Sequence, residues 1–133
     1  MKALKSKKVM AFIVVLSMIF ALNLQVFAGV WVNSYYDTFS DRERSTGVFY
    51  SSSGSIYLSH NQSIVRGTSD SLEVWLWSED NHQGYSYITV SGTKSTTLHW
   101  DYVPAGNYKI IFHNLNPVGT TWNVNGSIYD GAI

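Results

Sequence analysis

Leu72-Glu73-Val74-Trp75-Leu76-Trp77-Ser78 places an aliphatic residue at every second position, with Glu73, Trp75 and Trp77 between them. Successive side chains of a strand point to opposite faces. This period of two therefore predicts a half-buried strand with Leu72, Val74 and Leu76 turned inward and both indoles outward. The alternation recurs downstream: Thr96, Leu98, Trp100 and Tyr102 share one phase, as do Tyr108, Ile110 and Phe112, and then Trp122, Val124 and Ile128. Val, Ile, Thr, Tyr and Trp fill these stretches and suit a pleated surface. No stretch after residue 28 shows a helical period, and glycines from Gly47 to Gly126 punctuate the chain between the alternating runs. Short strands separated in this way predict an all-β fold, a jelly-roll-like antiparallel β-sandwich of eight to nine strands. Strands are expected near 30–36, 47–51, 54–59, 62–66, 71–78, 85–91, 95–102, 107–113 and 120–129. Asn125-Gly126 could form a tight hairpin, but one continuous strand keeps Trp122, Val124 and Ile128 on a single face and is preferred. The segment 37–46 reads as the longest polar connection.

The first 28 residues read differently. Met1–Lys8 is basic, Val9–Leu24 is apolar except for Ser17 and Asn23, and Val26-Phe27-Ala28 sets compact residues at a cleavage site. That order is that of a secretory signal peptide. The apolar run is short for a retained span, which takes about 20 residues. The expectation is a signal peptide at 1–28 and a single β-sandwich domain at 29–133, secreted to the extracellular space and bacterial in character. The chain has no Cys, so neither a thioether lipid anchor nor a disulfide is available and stability must come from a packed core. Lys2, Lys5, Lys7 and Lys8 take four of the nine basic residues, leaving five bases against nine acids in 29–133. Arg42, Arg44, Arg66, Lys94 and Lys109 form no basic stripe, which argues against nucleic acid. No membrane partner is expected once the leader is removed. No phosphate loop or dinucleotide fingerprint occurs, so no cofactor is expected. The four His residues are dispersed, and no metal ligand set is assigned. Glu79-Asp80-Asn81-His82 and the carboxylates Asp37, Asp41 and Glu43 could hold calcium but read better as solvated turns.

The order Leu72-Glu-Val-Trp-Leu-Trp-Ser-Glu-Asp80, then Tyr102-Val-Pro-Ala-Gly-Asn-Tyr108, then a closing strand resembles bacterial prepeptidase C-terminal-type secreted β-sandwich domains. Pro104, Gly106 and Tyr108 match the family's turn, in which Pro fixes φ, Gly permits a left-handed residue and Tyr begins the next core face. The resemblance covers roughly 54–129. It implies a sandwich that serves secreted hydrolases as a substrate- or matrix-binding appendage, although no catalytic domain is attached here. The acidic pattern with which some relatives bind calcium is not matched, so no metal residues are carried over.

The candidate ligand-binding residues are Trp75, Trp77, Tyr85 and Tyr87. With Ile88 and Val90 inward, an even hairpin register sets Trp77 beside Tyr85 and Trp75 beside Tyr87, and four aromatics line one outer face. Such faces stack on sugars and on partner side chains. The competing reading packs the same rings for stability alone. Trp31 and Tyr35, in one phase, could extend this platform or cover a sheet edge, and Trp100 and Trp122 belong to the core. His99 and Asp101 project from one strand face, but no nucleophile elbow accompanies them, so no enzyme is predicted and no catalytic residue is assigned. The function expected is a secreted, non-catalytic binding or interaction module. Its partner would be a polysaccharide, a cell-envelope glycan, or a protein. The alternatives are a structural or assembly protein (a matrix or surface coat) and a small secreted antagonist acting as toxin or inhibitor.

Overall fold

In the computed structural model, which describes residues 29–52 and 54–133, Leu72, Val74 and Leu76 are 0% exposed while Trp75 and Trp77 lie half-buried on the opposite face of their strand. The expected leader at 1–28 lies outside the described residues. Removing each of those aliphatics from water is worth roughly 1.5–3 kcal/mol, which fixes the phase of the whole stretch. Among the described residues nine strands form: β1 (Val30–Phe39), β2 (Glu43–Ser45), β3 (Phe49–Ser51), β4 (Ser55–Arg66), β5 (Ser71–Ser78), β6 (Gln83–Ser91), β7 (Lys94–Asp101), β8 (Gly106–Asn114) and β9 (Thr121–Asp130).

One sheet runs β1-β9-β4-β7, the other β2-β8-β5-β6, with β3 also on β8, and every pairing is antiparallel. The path is one long hairpin rolled on itself. β1 lies on β9, β2 and β3 on β8, β4 on β7 and β5 on β6, while rolling sets β9 against β4 and β8 against β5. That is the jelly-roll form of the sandwich. Between the layers lie Ile56, Leu58, Leu98, Trp100, Ile110, Phe112, Trp122, Val124 and Ile128, all buried, so both inward Trp residues take core positions.

The strand boundaries depart from expectation where polar residues enter the core. The expected pair 54–59 and 62–66 is a single twelve-residue strand, β4. His60-Asn61 reads locally as a break, but His60 and Gln62 are both buried, and Gln62 Nε2 donates to the carbonyls of Val90 (3.0 Å) and Gly92 (2.6 Å). The expected connection 37–46 contains the end of β1 and all of β2, whose exposed residues are held by pairing with β8 rather than by burial. β9 is continuous through Asn125-Gly126. Gly126 faces inward, where an added Cβ would meet the Ser59 carbonyl and lie 2.6 Å from Tyr35 Oη.

A register shift between Trp31 and Asn33 separates two aromatics expected on one face. Trp31 is 57% exposed on the outer surface, whereas Tyr35 packs inward on Phe112 and His60. The outer face of the four-stranded sheet carries cross-strand rows, among them Ser34–Ser127–Ser59–Thr97 and Tyr36–Asn125–Asn61–Ser95. In the turn before β8, the left-handed residue is Tyr102 (φ 56°), not the expected Gly106. Gly106 is needed for a different reason: a Cβ there would lie 2.6 Å from Asp80 Oδ2.

Candidate functional site

The outer face of the five-stranded sheet is set by four neighbouring strands, β2, β8, β5 and β6. Opposite residues form the rows Glu43–His113–Glu73–Thr89 and Ser45–Ile111–Trp75–Tyr87, followed by Lys109–Trp77–Gly84. Between them lies a groove of about 390 Å³ lined by Glu43, Trp75, Trp77, Gly84, Lys109, Ile111 and His113. Its floor is apolar, because Ile111 is buried although it points outward between β2 and β5.

Trp75 is held from several sides. Tyr87 lies against it with centroids 4.5 Å apart, and the His113 ring stands at 5.6 Å. Its Nε1–H donates to Glu73 Oε1 at 3.3 Å, which fixes the direction of the indole. The ring extends over Gly84, where a Cβ would lie 3.0 Å from Trp75 Cε3 and 3.1 Å from Cζ3. Charged groups border the indoles. His113 Nε2 is 3.4 Å from Glu43 Oε2, and its Nδ1 is 3.7 Å from Glu73 Oε1. Lys109 Nζ is paired with Glu79 Oε1 at 2.9 Å.

Of the four residues expected to form the platform, the structure brings Trp75, Trp77 and Tyr87 together and sets Tyr85 aside. The even register holds for Trp75–Tyr87 and Val74–Ile88 but shifts between Leu76 and Trp77. Trp77 therefore faces Gly84, and Tyr85 becomes the extra residue of a β-bulge. Tyr85 instead stands edge-on to Tyr108, 5.9 Å between centroids. Burial and then the contact with Tyr85 push the Tyr108 hydroxyl up to about 12, and that hydroxyl donates to the Pro104 carbonyl. The residues not anticipated are Glu43, Gly84, Lys109, Ile111 and His113. Lys109, Ile111 and His113 occupy the outward phase of a legible strand. What local pattern could not disclose is that this strand lies beside β5.

The remaining candidates lie elsewhere. His99 Nδ1 and Asp101 Oδ2 are 3.3 Å apart on the exposed outer surface of the other sheet, away from the groove. The carboxylates considered for calcium are engaged by protein groups. Arg44 reaches Asp41 at 2.7 Å and Asp37 at 3.9 Å. The backbone N–H and carboxamide of Asn107 hold Asp80 below the usual carboxylate range. No cluster of three potential metal ligands occurs among the described residues.

No family model matches the chain, and no curated protein does. Solved structures that resemble it include a CBM4 protein, 14% identical with a TM-score of 0.49 over 76% of this chain and 77% of that one. Another is the Yersinia pseudotuberculosis-derived mitogen, 12% identical, TM-score 0.45, over 77% and 89%. A third is the carbohydrate-binding module CBM6cm-2 of Cellvibrio mixtus lichenase 5A in complex with cellotriose, 15% identical, TM-score 0.43, over 77% and 91%. None of the three is a prepeptidase C-terminal domain.

Proposed function

We propose that this chain is a secreted, non-catalytic glycan-binding module, and that the glycan lies in the groove against Trp75 and Trp77. The observation that carries the reading is the placement of two half-buried indoles over an apolar floor, with one ring fixed by Tyr87, His113 and Glu73 before any ligand arrives. Indole faces stack on the C–H faces of sugar rings, and a ring already held in place loses little freedom on binding. Glu43, Lys109 and His113 at the border supply acceptors and donors for hydroxyls. The carboxylates Glu43 and Glu73 face one imidazole rather than each other across an open cleft, an arrangement suited to recognition rather than to acid–base cleavage of a glycosidic bond.

The test is isothermal titration and affinity electrophoresis against soluble glucans, xylan and cell-wall glycan fragments. Replacing Trp75→Ala and Trp77→Ala together should weaken groove binding by about a hundredfold, the scale of losing two stacked rings at about 1–1.5 kcal/mol each. The Trp fluorescence of the wild-type protein should respond to the same ligand. A correctly folded double variant that binds unchanged removes the groove from the recognition surface.

A further inference from the structure

We propose that the outer face of the four-stranded sheet is a second binding surface, for an extended uncharged polysaccharide, and that it acts independently of the indole groove. Its two central rows, Ser34–Ser127–Ser59–Thr97 and Tyr36–Asn125–Asn61–Ser95, contain no carboxylate, ammonium, guanidinium or imidazole. Four adjacent strands therefore meet a partner at their centre through hydroxyls, carboxamides and the Tyr36 phenol alone. A surface of hydroxyls and carboxamides gives up its water to a partner at lower cost than a charged one does.

The polar groups are also held in place. Asn61 Nδ2 donates to Asn125 Oδ1 (3.2 Å), Asn125 Nδ2 to Asn123 Oδ1 (3.3 Å), and Asn123 Nδ2 to Thr38 Oγ1 (2.9 Å). Each carboxamide has two N–H donors and two acceptor lone pairs, so this lateral chain fixes its orientation and leaves capacity directed outward. Strands repeat about every 4.7–4.9 Å, so each row sets four hydroxyl or carboxamide groups along roughly 14 Å. Such a comb fits a polymer that presents hydroxyls, each both donor and acceptor, at regular intervals. At one end of the face, Tyr57 stacks on His99 with centroids 5.1 Å apart, and the adjacent row position of Tyr129 leads to exposed Trp31. Those rings offer the stacking that hydroxyl contacts lack. A second copy of the chain is the weaker occupant. Homodimer interfaces are more apolar than this face, and a like surface would have to match carboxamide to carboxamide.

The experiment uses four uncharged polymers: microcrystalline cellulose, chitin, a soluble β-1,3-glucan and xylan. Binding is measured for the wild type, for Trp75→Ala/Trp77→Ala, for Tyr36→Lys/Thr97→Lys, and for all four substitutions together, with thermal melts confirming the fold. Asn61→Ala/Asn125→Ala serves as an uncharged second face variant should the lysines impair folding. The groove variant should keep measurable binding to at least one polymer, and adding either face variant should weaken that residue of binding by at least about tenfold. Loss of all binding in the groove variant overturns the proposal, as does indifference of its remaining binding to both face variants. If the face variants abolish binding while Trp75→Ala/Trp77→Ala has no effect, the groove reading fails and this one stands. If sedimentation shows a dimer that the lysines convert to monomer, the face belongs to a second copy and the proposal is overturned.

Discussion

His60 shows how a single polar residue is accommodated between two apolar layers. It is almost fully buried, stacked on Phe112 at 5.7 Å, and bonded at both ring nitrogens. Both N–H groups of Gln62 are used on the Val90 and Gly92 carbonyls, so Gln62 Oε1 accepts from His60 Nε2–H at 3.0 Å. Nδ1 is then the acceptor for the Tyr35 hydroxyl at 2.6 Å, and the ring is neutral with its proton on Nε2. Burial holds His60 below its ordinary value, with the Gln62 contact opposing only in part, and burial likewise raises the Tyr35 hydroxyl. The folded state therefore resists a proton that the unfolded chain accepts freely. The stabilisation is complete above about pH 6.5, the ordinary histidine value, and is lost as pH falls from there through the folded value. Urea midpoints measured from pH 8 to pH 5 should decline more steeply in the wild type than in His60→Gln, which removes the titrating ring. Parallel curves for the two proteins would assign the acid sensitivity to other groups.

Bulges decide where the element scale follows sequence pattern and where it does not. The alternations at 71–78, 95–102 and 107–113 each carry a dense aliphatic or aromatic phase, and the strands found there, β5, β7 and β8, differ from expectation by a residue or so at their ends. Burial selects between two phases, and a one-residue slip would expose Leu72, Val74 and Leu76 together. A bulge has no such signature, because it inserts one residue and inverts everything on one side of it. The shift near Val32 put Trp31 and Tyr35 on opposite faces, and the shift at Tyr85 exchanged an aromatic for Gly84 opposite Trp77. Only the indoles of the groove were legible for this reason: Trp75 and Trp77 lie on one strand, with Tyr87 against Trp75 on its hairpin partner, whereas Glu43, Lys109 and His113 arrive from strands that only the rolled topology makes neighbours. β2 was hidden because its three exposed residues bury nothing. The bulge also has a use. By presenting Gly84, β6 leaves room for the Trp75 ring to lie across it. Gly84→Val should displace that ring without unfolding the sheet, since the new side chain sits on the outer face. Near-ultraviolet circular dichroism and Trp emission should change, glycan binding in the groove should fall by about tenfold or more, and the melting temperature should move by no more than a few degrees, as for a surface substitution. Unaltered binding in Gly84→Val would show that the ring position does not matter to recognition.

At the scale of the whole molecule, charge reaches the centre of one sheet's outer face and only the end of the other's, where His99 and Asp101 pair. The central rows of the four-stranded sheet are uncharged, while Glu43, Glu73, Glu79, Lys109 and His113 lie on the outer side of the five-stranded one. Lys109 is already paired with Glu79, which leaves Glu43 and Glu73 as the carboxylates nearest the indoles, in a domain with four more acids than bases over residues 29–133. The field at the groove is therefore negative on balance, and a polymer bearing uronate or carboxymethyl groups meets repulsion that a neutral one does not. Repulsion of this kind acts through solvent and is screened, with a Debye length of about 10 Å at 0.1 M salt and about 3 Å at 1 M. Stacking and hydroxyl contacts are short-ranged and nearly indifferent to salt. Binding to hydroxyethyl cellulose should thus stay level between low and high salt, while binding to carboxymethyl cellulose of similar length should start weaker and strengthen as salt rises. Affinity electrophoresis or titration at matched chain concentrations would read both trends. Should the carboxylated polymer bind more tightly at low salt and weaken on screening, Lys109 would be acting as a free cation in the groove, and selection for uncharged glycans would have to be abandoned for that surface.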